Sequence, residues 1–210
     1  MWKFLLNNQC AITFLVCRAR IDVVFVVDGS GSIEASGRGN FRRCLRFVKN
    51  MVRSFTISRS YVRVGIVLYS SRTRLILTFN QNRGVSSILR TIDRIQYPRR
   101  GTRTGAAISF ALSRLFSASR RGRSKVLIVM TDGRSQDNVR GPSSILRRRG
   151  VRIFCLGIGK RYNMQQLLQM AGSRRNVFTA DFRNLGSVVR AIKQKACKGK
   201  RCKEDVLFYN

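Results

Sequence analysis

Three residues with oxygen-bearing side chains, Asp28, Ser30 and Ser32, stand at alternate positions of one short turn. The turn follows an apolar, β-branched run over residues 21–27, which is typical of a strand buried on both faces. The two intervening glycines allow a tight turn, and an amphipathic segment follows. Ligands bind at the carboxyl ends of the strands in open α/β sheets, and oxygen ligands suit a hard cation such as Mg²⁺.

Two other segments carry side chains of the same chemical type. Thr102 lies in a loop with Gly101 and precedes a predicted helix, and Asp132 directly follows a second apolar run over residues 125–131. Because the first turn, this loop and the end of the second strand can meet at one rim of a sheet, we expect Thr102 and Asp132 to complete the site.

Predicted strands and helices alternate along the chain. The strands are expected at residues 21–27, 62–69, 73–79, 125–131, 151–158 and 177–179, and the helices at 40–57, 85–95, 104–116, 138–149, 164–171 and 183–196. This order predicts a doubly wound α/β domain, with a mostly parallel six-stranded sheet and helices on both faces. The connection between the second and third strands has hairpin length, so the third strand is predicted to be an antiparallel edge strand.

The chain is strongly basic. Lys and Arg number 42 against nine acidic residues, which gives a net charge of +33, and Arg greatly outnumbers Lys. Such a charge favours polyanionic partners, such as sulfated glycans, nucleic acid, anionic membranes or acidic proteins, although a basic surface that is merely solvated is the alternative. No recognised nucleic-acid-binding module is present, which argues against a nucleic-acid role.

Enzymatic chemistry is disfavoured. The chain has no histidine, which excludes a Ser-His-Asp triad and histidine zinc sites. No phosphate-binding GxxxxGK[ST] loop occurs, and no base or nucleophile stands beside the oxygen cluster. We therefore expect a binding protein rather than an enzyme.

The cysteines and the chain ends bear on the compartment. The six cysteines include no CxxC pair, so a zinc site is disfavoured, and the pattern fits one structural disulfide with Cys44 and Cys155 as buried thiols. Residues 1–19 are interpreted as a signal peptide or an irregular leader, with a truncated longer chain as the alternative. Residues 198–210 are interpreted as a basic tail or the start of a linker. No segment reaches the length of a membrane span.

Three motifs in this order carry a resemblance to a known family. They are Asp-Gly-Ser-Gly-Ser at 28–32, Thr-Arg-Thr-Gly at 102–105 and Thr-Asp-Gly at 131–133. Over residues 20–197 the chain resembles the von Willebrand factor type A domain, and especially its matrilin-like and collagen-associated members.

The resemblance implies a metal-ion-dependent adhesion site. It assigns Mg²⁺ or Mn²⁺ to Asp28, Ser30, Ser32, Thr102 and Asp132, with one coordination position open for a carboxylate of a partner protein. It also implies a disulfide between Cys17 and Cys197. Signal cleavage after residue 19 would discard Cys17, so the two expectations conflict.

The resemblance implies a secreted adhesion module of the extracellular matrix. Its partner would be collagen or another matrix protein that presents an acidic side chain. The arginines near the predicted rim are expected to attract acidic ligands and to repel the cation; they are Arg99, Arg100, Arg103 and Arg134. The competing hypothesis is that the Arg-rich surface binds polyanions such as glycosaminoglycans without any cation.

Four further polar residues have expected structural roles. Thr104 is either a group behind the metal ligands or the N-cap of its helix. Asp137 is expected to cap, or to lie in the first turn of, the helix that follows it. Asp22 is expected at the start of the first strand, and Glu34 is expected to be exposed to solvent.

Overall fold

The computed structural model describes residues 19–197. The strands of this region are β1 Ile21–Asp28, β2 Val62–Tyr69, β3 Thr73–Leu77, β4 Ser124–Thr131, β5 Val151–Ile158 and β6 Val177–Ala180. The α-helices are α1 Ser32–Ala35, α2 Asn40–Arg53, α3 Val85–Asp93, α4 Thr104–Arg114, α5 Arg140–Arg148, α6 Met164–Ala171 and α7 Val189–Cys197. Short 3₁₀ helices occupy Phe79–Gln81, Phe116–Ala118, Arg174–Asn176 and Leu185–Val188.

The strands form one sheet in the order β3-β2-β1-β4-β5-β6. Every neighbouring pair is parallel except β2 and β3, which are antiparallel. The predicted doubly wound α/β architecture with an antiparallel edge strand is therefore confirmed.

Each face of the sheet carries its own hydrophobic core, because successive residues of a strand point to opposite faces. On β1, Val23 and Phe25 pack into the core that also contains the buried residues of α2, α3 and α7. Val24 and Val26 pack into the other core, with residues of α4, α5 and α6. All eight residues of β1 are buried, so neither face of this central strand meets solvent.

The strand order places a topological switch point at the centre of the sheet. The chain leaves β1 on one side to form β2 and β3, and then returns on the other side of β1 to form β4. The loops that follow β1 and β4 consequently diverge from adjacent strand ends, which leaves a crevice at the carboxyl edge of the sheet. Val27 pairs with Met130, so Asp28 and Thr131 end their strands side by side.

Several element ends differ from the sequence-based prediction. The third strand ends at Leu77 because Thr78 and Gln81 close a capping box, and the side-chain amide of Asn82 then bonds Val64 in place of a strand residue. The predicted helix at 40–57 ends at Arg53, where the Ser54 hydroxyl donates to the Met51 carbonyl. The predicted helix at 183–196 is divided into a 3₁₀ turn and α7, and the predicted helix at 138–149 is limited to α5.

Asp22 has a larger role than its position at the start of a strand predicted. Its carboxylate is fully buried and accepts hydrogen bonds from Arg63 at 2.8 and 2.5 Å, from Arg123 at 2.6 Å and from Ser119 at 2.6 Å. Burial alone would raise the pKa of Asp22, but the bonds from Arg63, Ser119 and Arg123 outweigh it and hold the pKa below its usual value. The cluster joins β1, β2 and the residue before β4 at the edge of the sheet opposite the crevice.

The cysteines follow the predicted pattern where the structure describes them. Cys44 and Cys155 are free and buried, as expected, and burial raises the pKa of both thiols. Cys197 is disulfide-bonded. Cys17 lies outside the described residues, so its pairing with Cys197 stays a prediction.

Among residues 19–197, no helix has both the length and the apolar character that crossing a membrane requires.

Candidate metal centre

The site lies in the crevice where β1 and β4 end. Asp28 is the last residue of β1, and Asp132 directly follows the last residue of β4. Both aspartates are only 1% exposed. Two carboxylates are thus buried together at the edge of the sheet where a ligand is expected.

A chain of hydrogen bonds joins four of the five predicted ligands. The Ser30 amide donates to Asp28 Oδ1 at 2.8 Å, and the hydroxyls of Ser30 and Ser32 are 2.9 Å apart. The Ser32 hydroxyl donates to Asp132 Oδ1 at 2.7 Å. The alternate spacing in the turn therefore gathers two carboxylates and two hydroxyls into one cluster.

The glycines of the turn permit a close approach by the loop that carries Thr102. The Gly31 amide donates to the Arg100 carbonyl at 2.8 Å, and the Arg99 amide donates to the Gly29 carbonyl at 3.1 Å. A Cβ atom on Gly29 would lie 2.7 Å from the ring of Pro98, so a larger residue there would push the two loops apart.

Thr102 reaches the same edge through its backbone. Its amide donates to Gln136 Oε1 at 3.0 Å, and its carbonyl accepts from the Gln136 amide at 2.8 Å, which ties its loop to the segment after Asp132. Thr102 is 8% exposed. Within residues 19–197 its hydroxyl takes part in no hydrogen bond of the cluster. The structure therefore ties the Thr102 backbone to this edge of the sheet, and a role of its side chain as a cation ligand stays a prediction.

A second layer of hydroxyls holds the other oxygen of Asp28. Thr131 Oγ1 donates to Asp28 Oδ2 at 2.7 Å and the Tyr69 hydroxyl donates to it at 3.2 Å. Thr104 Oγ1 in turn donates to the Tyr69 hydroxyl at 3.1 Å. Of the two roles open to Thr104, the structure selects the group behind the ligands, because its hydroxyl is buried and makes no cap bond.

Asp132 is supported from the opposite side of the site. Its Oδ2 atom accepts a long hydrogen bond from Ser36 at 3.4 Å. The positive charge of Arg161 acts on the same carboxylate. Ser36, Arg161 and Tyr69 were not predicted from the sequence, although the position of Tyr69 at the end of a buried strand was a usable signal.

Burial perturbs both carboxylates in the same direction. Burial raises the pKa of Asp28 to about 6; hydrogen bonds from Thr131 and Ser30 oppose this rise and the nearby Asp132 charge adds to it. Burial also raises the pKa of Asp132 despite hydrogen bonds from Ser32 and Ser36. Two negative charges held together away from water are the arrangement that a bound cation would stabilise.

The donor set fits a hard divalent cation. Two carboxylates and three hydroxyls supply only oxygen, which is the ligand atom preferred by Mg²⁺ and Mn²⁺. No group of three or more His, Cys, Asp or Glu side chains that could hold a metal occurs in the described part of the chain. The site therefore depends on its hydroxyls as much as on its carboxylates.

Two acidic residues near the site cap helices in ways the sequence did not indicate. Asp137 was expected to serve the helix after it, but its carboxylate accepts from the amides of Gly105 and Ala106 at 2.7 and 2.8 Å, and so caps α4. Glu34 was expected to be exposed, but it accepts from the amides of Gly39 and Phe41 at the start of α2. In both cases the carboxylate accepts hydrogen bonds from backbone N–H groups at the start of a helix, which have no partner within the helix.

The four arginines expected at the rim are all exposed. Arg99 adopts a left-handed backbone with φ of 58°, which is uncommon for a residue other than glycine, and its guanidinium lies over the Tyr97 ring. Tyr97 donates to the Ser30 carbonyl at 2.6 Å, so this arginine is linked to the turn of the site. Contact of Arg99, Arg100, Arg103 and Arg134 with a ligand stays a prediction.

Comparison with known proteins places this geometry in a family. Residues 22–191 match the family described as the von Willebrand factor type A domain. Human vitrin is 37% identical over 185 residues, which cover 86% of this chain and 26% of vitrin. The transmembrane cell adhesion receptor mua-3 of Caenorhabditis elegans is 36% identical over 197 residues, which cover 90% of this chain and 5% of the receptor.

A solved structure shares the fold. Proximal thread matrix protein 1 from the mussel byssus, with a zinc-occupied MIDAS motif, superimposes with a TM-score of 0.81 at 27% identity, over 87% of this chain and 47% of that one. The chain thus spans about a quarter or less of the curated relatives described, and about half of this structure. The sequence match and the shared fold show that the chain belongs to the von Willebrand factor type A family.

Proposed function

We propose that this chain is an extracellular adhesion module that binds an acidic side chain of a matrix protein, collagen-like or other, through a divalent cation. The proposed ligands of the cation are Asp28, Ser30, Ser32, Thr102 and Asp132. The observation that carries the proposal is the buried hydrogen-bonded cluster of Asp28, Ser30, Ser32 and Asp132 at the switch point of the sheet.

Different residues of the site would have different roles in binding the cation. Thr131 and Tyr69 hold one oxygen of Asp28, which keeps that carboxylate in a fixed orientation. Ser30 and Ser32 present neutral oxygens, which leave part of the positive charge of a divalent ion uncompensated. A bound Mg²⁺ or Mn²⁺ would act as a Lewis acid with an open position for the partner carboxylate.

The rim would favour an acidic partner. Arg99, Arg100, Arg103 and Arg134 are exposed and, in the region the structure describes, form no ion pair with a carboxylate. Guanidinium groups bind carboxylates through paired, charge-assisted hydrogen bonds, so they would strengthen the attraction of an incoming Asp or Glu.

The named relatives support the class of function. One is a cell adhesion receptor, and the structural relative is a matrix protein with zinc in its MIDAS motif. Because the chain matches only part of each, an extracellular location and a matrix partner are proposed for it on this likeness together with the disulfide bond of Cys197.

The experiment is a binding panel of collagens and other matrix proteins, measured in Mg²⁺ and in EDTA. We expect binding to one protein ligand that is lost in EDTA and in Asp28→Ala. Asp93→Ala is the matched control, because Asp93 is an exposed carboxylate away from the crevice. The proposal fails if the wild-type chain binds its ligand equally well in EDTA.

A Ser32→Ala variant tests whether a loss of binding in Asp28→Ala arises from misfolding. It removes one hydroxyl and leaves both carboxylates in place, so the far-ultraviolet circular dichroism spectrum should be unchanged. We expect it to weaken the Mg²⁺-dependent binding at least tenfold, as loss of a ligand oxygen and of its bond to Asp132 requires.

A further inference from the structure

A groove of about 730 Å³ lies between α2 and the segment at residues 93–99. Phe41, Leu45, Ile95 and Tyr97 form its apolar part. The basic residues that line it are Arg38, Arg42, Arg46, Lys49 and Arg99. We call this surface the α2 groove.

The helix presents its cations in a row. Arg42, Arg46 and Lys49 are separated by four and three residues, so they share one face of α2. At a rise of about 1.5 Å per residue, this row is about 10 Å long. Phe41 and Leu45 are only 4% and 8% exposed, so they form the buried floor beside this row. Arg38, just before the helix, extends the row toward α1, which contains Glu34.

The two carboxylates of the groove are already engaged. Glu34 accepts the Gly39 and Phe41 amides at 2.7 and 2.9 Å, and Asp93 accepts from Lys49 at 2.5 Å. In residues 19–197, no carboxylate pairs with Arg38, Arg42 or Arg46. The groove therefore carries a line of guanidinium groups whose charge nothing in the described chain neutralises.

We propose that the α2 groove binds a sulfated glycosaminoglycan chain lying along the helix. A line of like cations is complementary to a ligand with repeated anions, and guanidinium groups bind sulfate through paired hydrogen bonds. The backbone groups of α2 are bonded within the helix, so an extended peptide would find no main-chain partners there. The half-buried ring of Tyr97 offers an apolar surface at one end.

This binding does not depend on the metal centre. None of the five proposed cation ligands lines the groove. The glycan should therefore bind equally well in EDTA, and failure of the metal proposal would leave this one intact.

The test uses a heparin octasaccharide and the full chain in EDTA. The triple variant Arg38→Gln, Arg42→Gln, Arg46→Gln removes three charges from the groove. The control variant Arg120→Gln, Arg121→Gln, Arg149→Gln removes three exposed arginine charges elsewhere. We expect the groove variant to bind at least tenfold more weakly, and its slope of log affinity against log salt to fall by about 2. The control should change affinity by less than about threefold.

A second measurement locates the ligand on the wild-type chain. Arginine modification by phenylglyoxal, mapped by mass spectrometry, should show that the octasaccharide protects Arg42 and Arg46 but not Arg120 or Arg121. Equal losses in the two triple variants, or equal protection of all four arginines, would overturn the groove as the site. Equal binding of de-sulfated heparin, a polyglutamate peptide or anionic phospholipid vesicles would overturn the sulfated glycan as the ligand.

Discussion

Hydroxyl groups orient the two carboxylates of the candidate metal centre. Asp28 accepts from two hydroxyls and one amide, and Ser32 bridges to Asp132. At the opposite edge of the sheet, Asp22 is oriented by two guanidinium groups and one hydroxyl. The pKa of Asp28 is raised by burial, and a bound cation would lower it. The pKa of Asp22 is already lowered despite burial, because Arg63 and Arg123 neutralise its charge.

Replacement of Asp22 tests the neutralised cluster. Asp22→Asn leaves Arg63 and Arg123 buried without their carboxylate, and loss of one partner of a buried ion pair costs about 3–5 kcal/mol of unfolding free energy. Urea unfolding at neutral pH measures the loss. Asp93→Asn, which breaks an exposed pair, should cost less than about 1 kcal/mol. Equal losses in the two variants would contradict the structural role of the buried cluster.

The pH dependence of the same variant has a defined sign. The folded pKa of Asp22 lies below its unfolded value of about 3.9, so its stabilisation is complete above that value and is lost as the pH falls through the folded pKa. The stability difference between wild type and Asp22→Asn should therefore shrink as the pH is lowered below about 4. A difference that stays constant down to the acid transition would argue against this assignment.

At the scale of elements, helix starts position the loops of the candidate metal centre. Asp137 caps α4, whose first turn follows Thr102, and the Gln136 side chain binds the Thr102 amide. The segment after β4 therefore fixes both Asp132 and the loop that carries Thr102. Glu34 similarly links the α1 segment to the start of α2.

Close packing at the start of α4 makes Gly105 irreplaceable. A Cβ atom there would lie 2.1 Å from the Asn138 carbonyl oxygen, so Gly105→Ala must separate α4 from the segment after β4. We expect a loss of about 1–3 kcal/mol in unfolding free energy and a weaker cation affinity. Gly141→Ala is the control, since a Cβ atom at Gly141 meets nothing within 4 Å and should stabilise α5 by up to about 1 kcal/mol. Chemical denaturation that found the two variants alike would refute this packing argument.

Periodicity and breakers in the sequence were enough to predict the six strands and the longer helices, but not α1 or the short 3₁₀ helices. The three motifs predicted that their segments would meet, and four of the five proposed ligands form one hydrogen-bonded cluster. The helix that Asp137 caps could not be predicted, because its partners at Gly105 and Ala106 lie about thirty residues away and local spacing favoured the next helix. The burial of Asp22 was missed for the same reason, since its partner Arg123 is 101 residues distant.

At the scale of the molecule, some of the many arginines stabilise the fold through hydrogen bonds to backbone carbonyls. Arg147 donates to the carbonyls of Gln169 and Met170 at the end of α6, and Arg152 donates to those of Lys195 and Ala196 near the end of α7. These guanidinium groups satisfy helix carbonyls that have no partner within the helix. The remaining exposed arginines account for the strong positive field and for the α2 groove.

The net charge of +33 should limit stability through self-repulsion. Raising NaCl from about 20 to about 300 mM shortens the Debye length, so thermal unfolding should shift upward by about 2–4 °C for each kcal/mol of repulsion that is screened. Differential scanning calorimetry measures the shift. A transition temperature that fell with salt would mean that attractive ion pairs outweigh the repulsion.

The most direct test of the central claim is calorimetric titration of the chain with Mg²⁺ and with Mn²⁺. It should be done well above the raised pKa of Asp28, which is about 6, so that both carboxylates are ionised. We expect one cation bound per wild-type chain, at least tenfold weaker binding in Asp132→Asn, and no change in the exposed control Asp93→Asn. A wild-type chain that binds neither ion, or an Asp132→Asn variant that binds as tightly as wild type, would contradict the account.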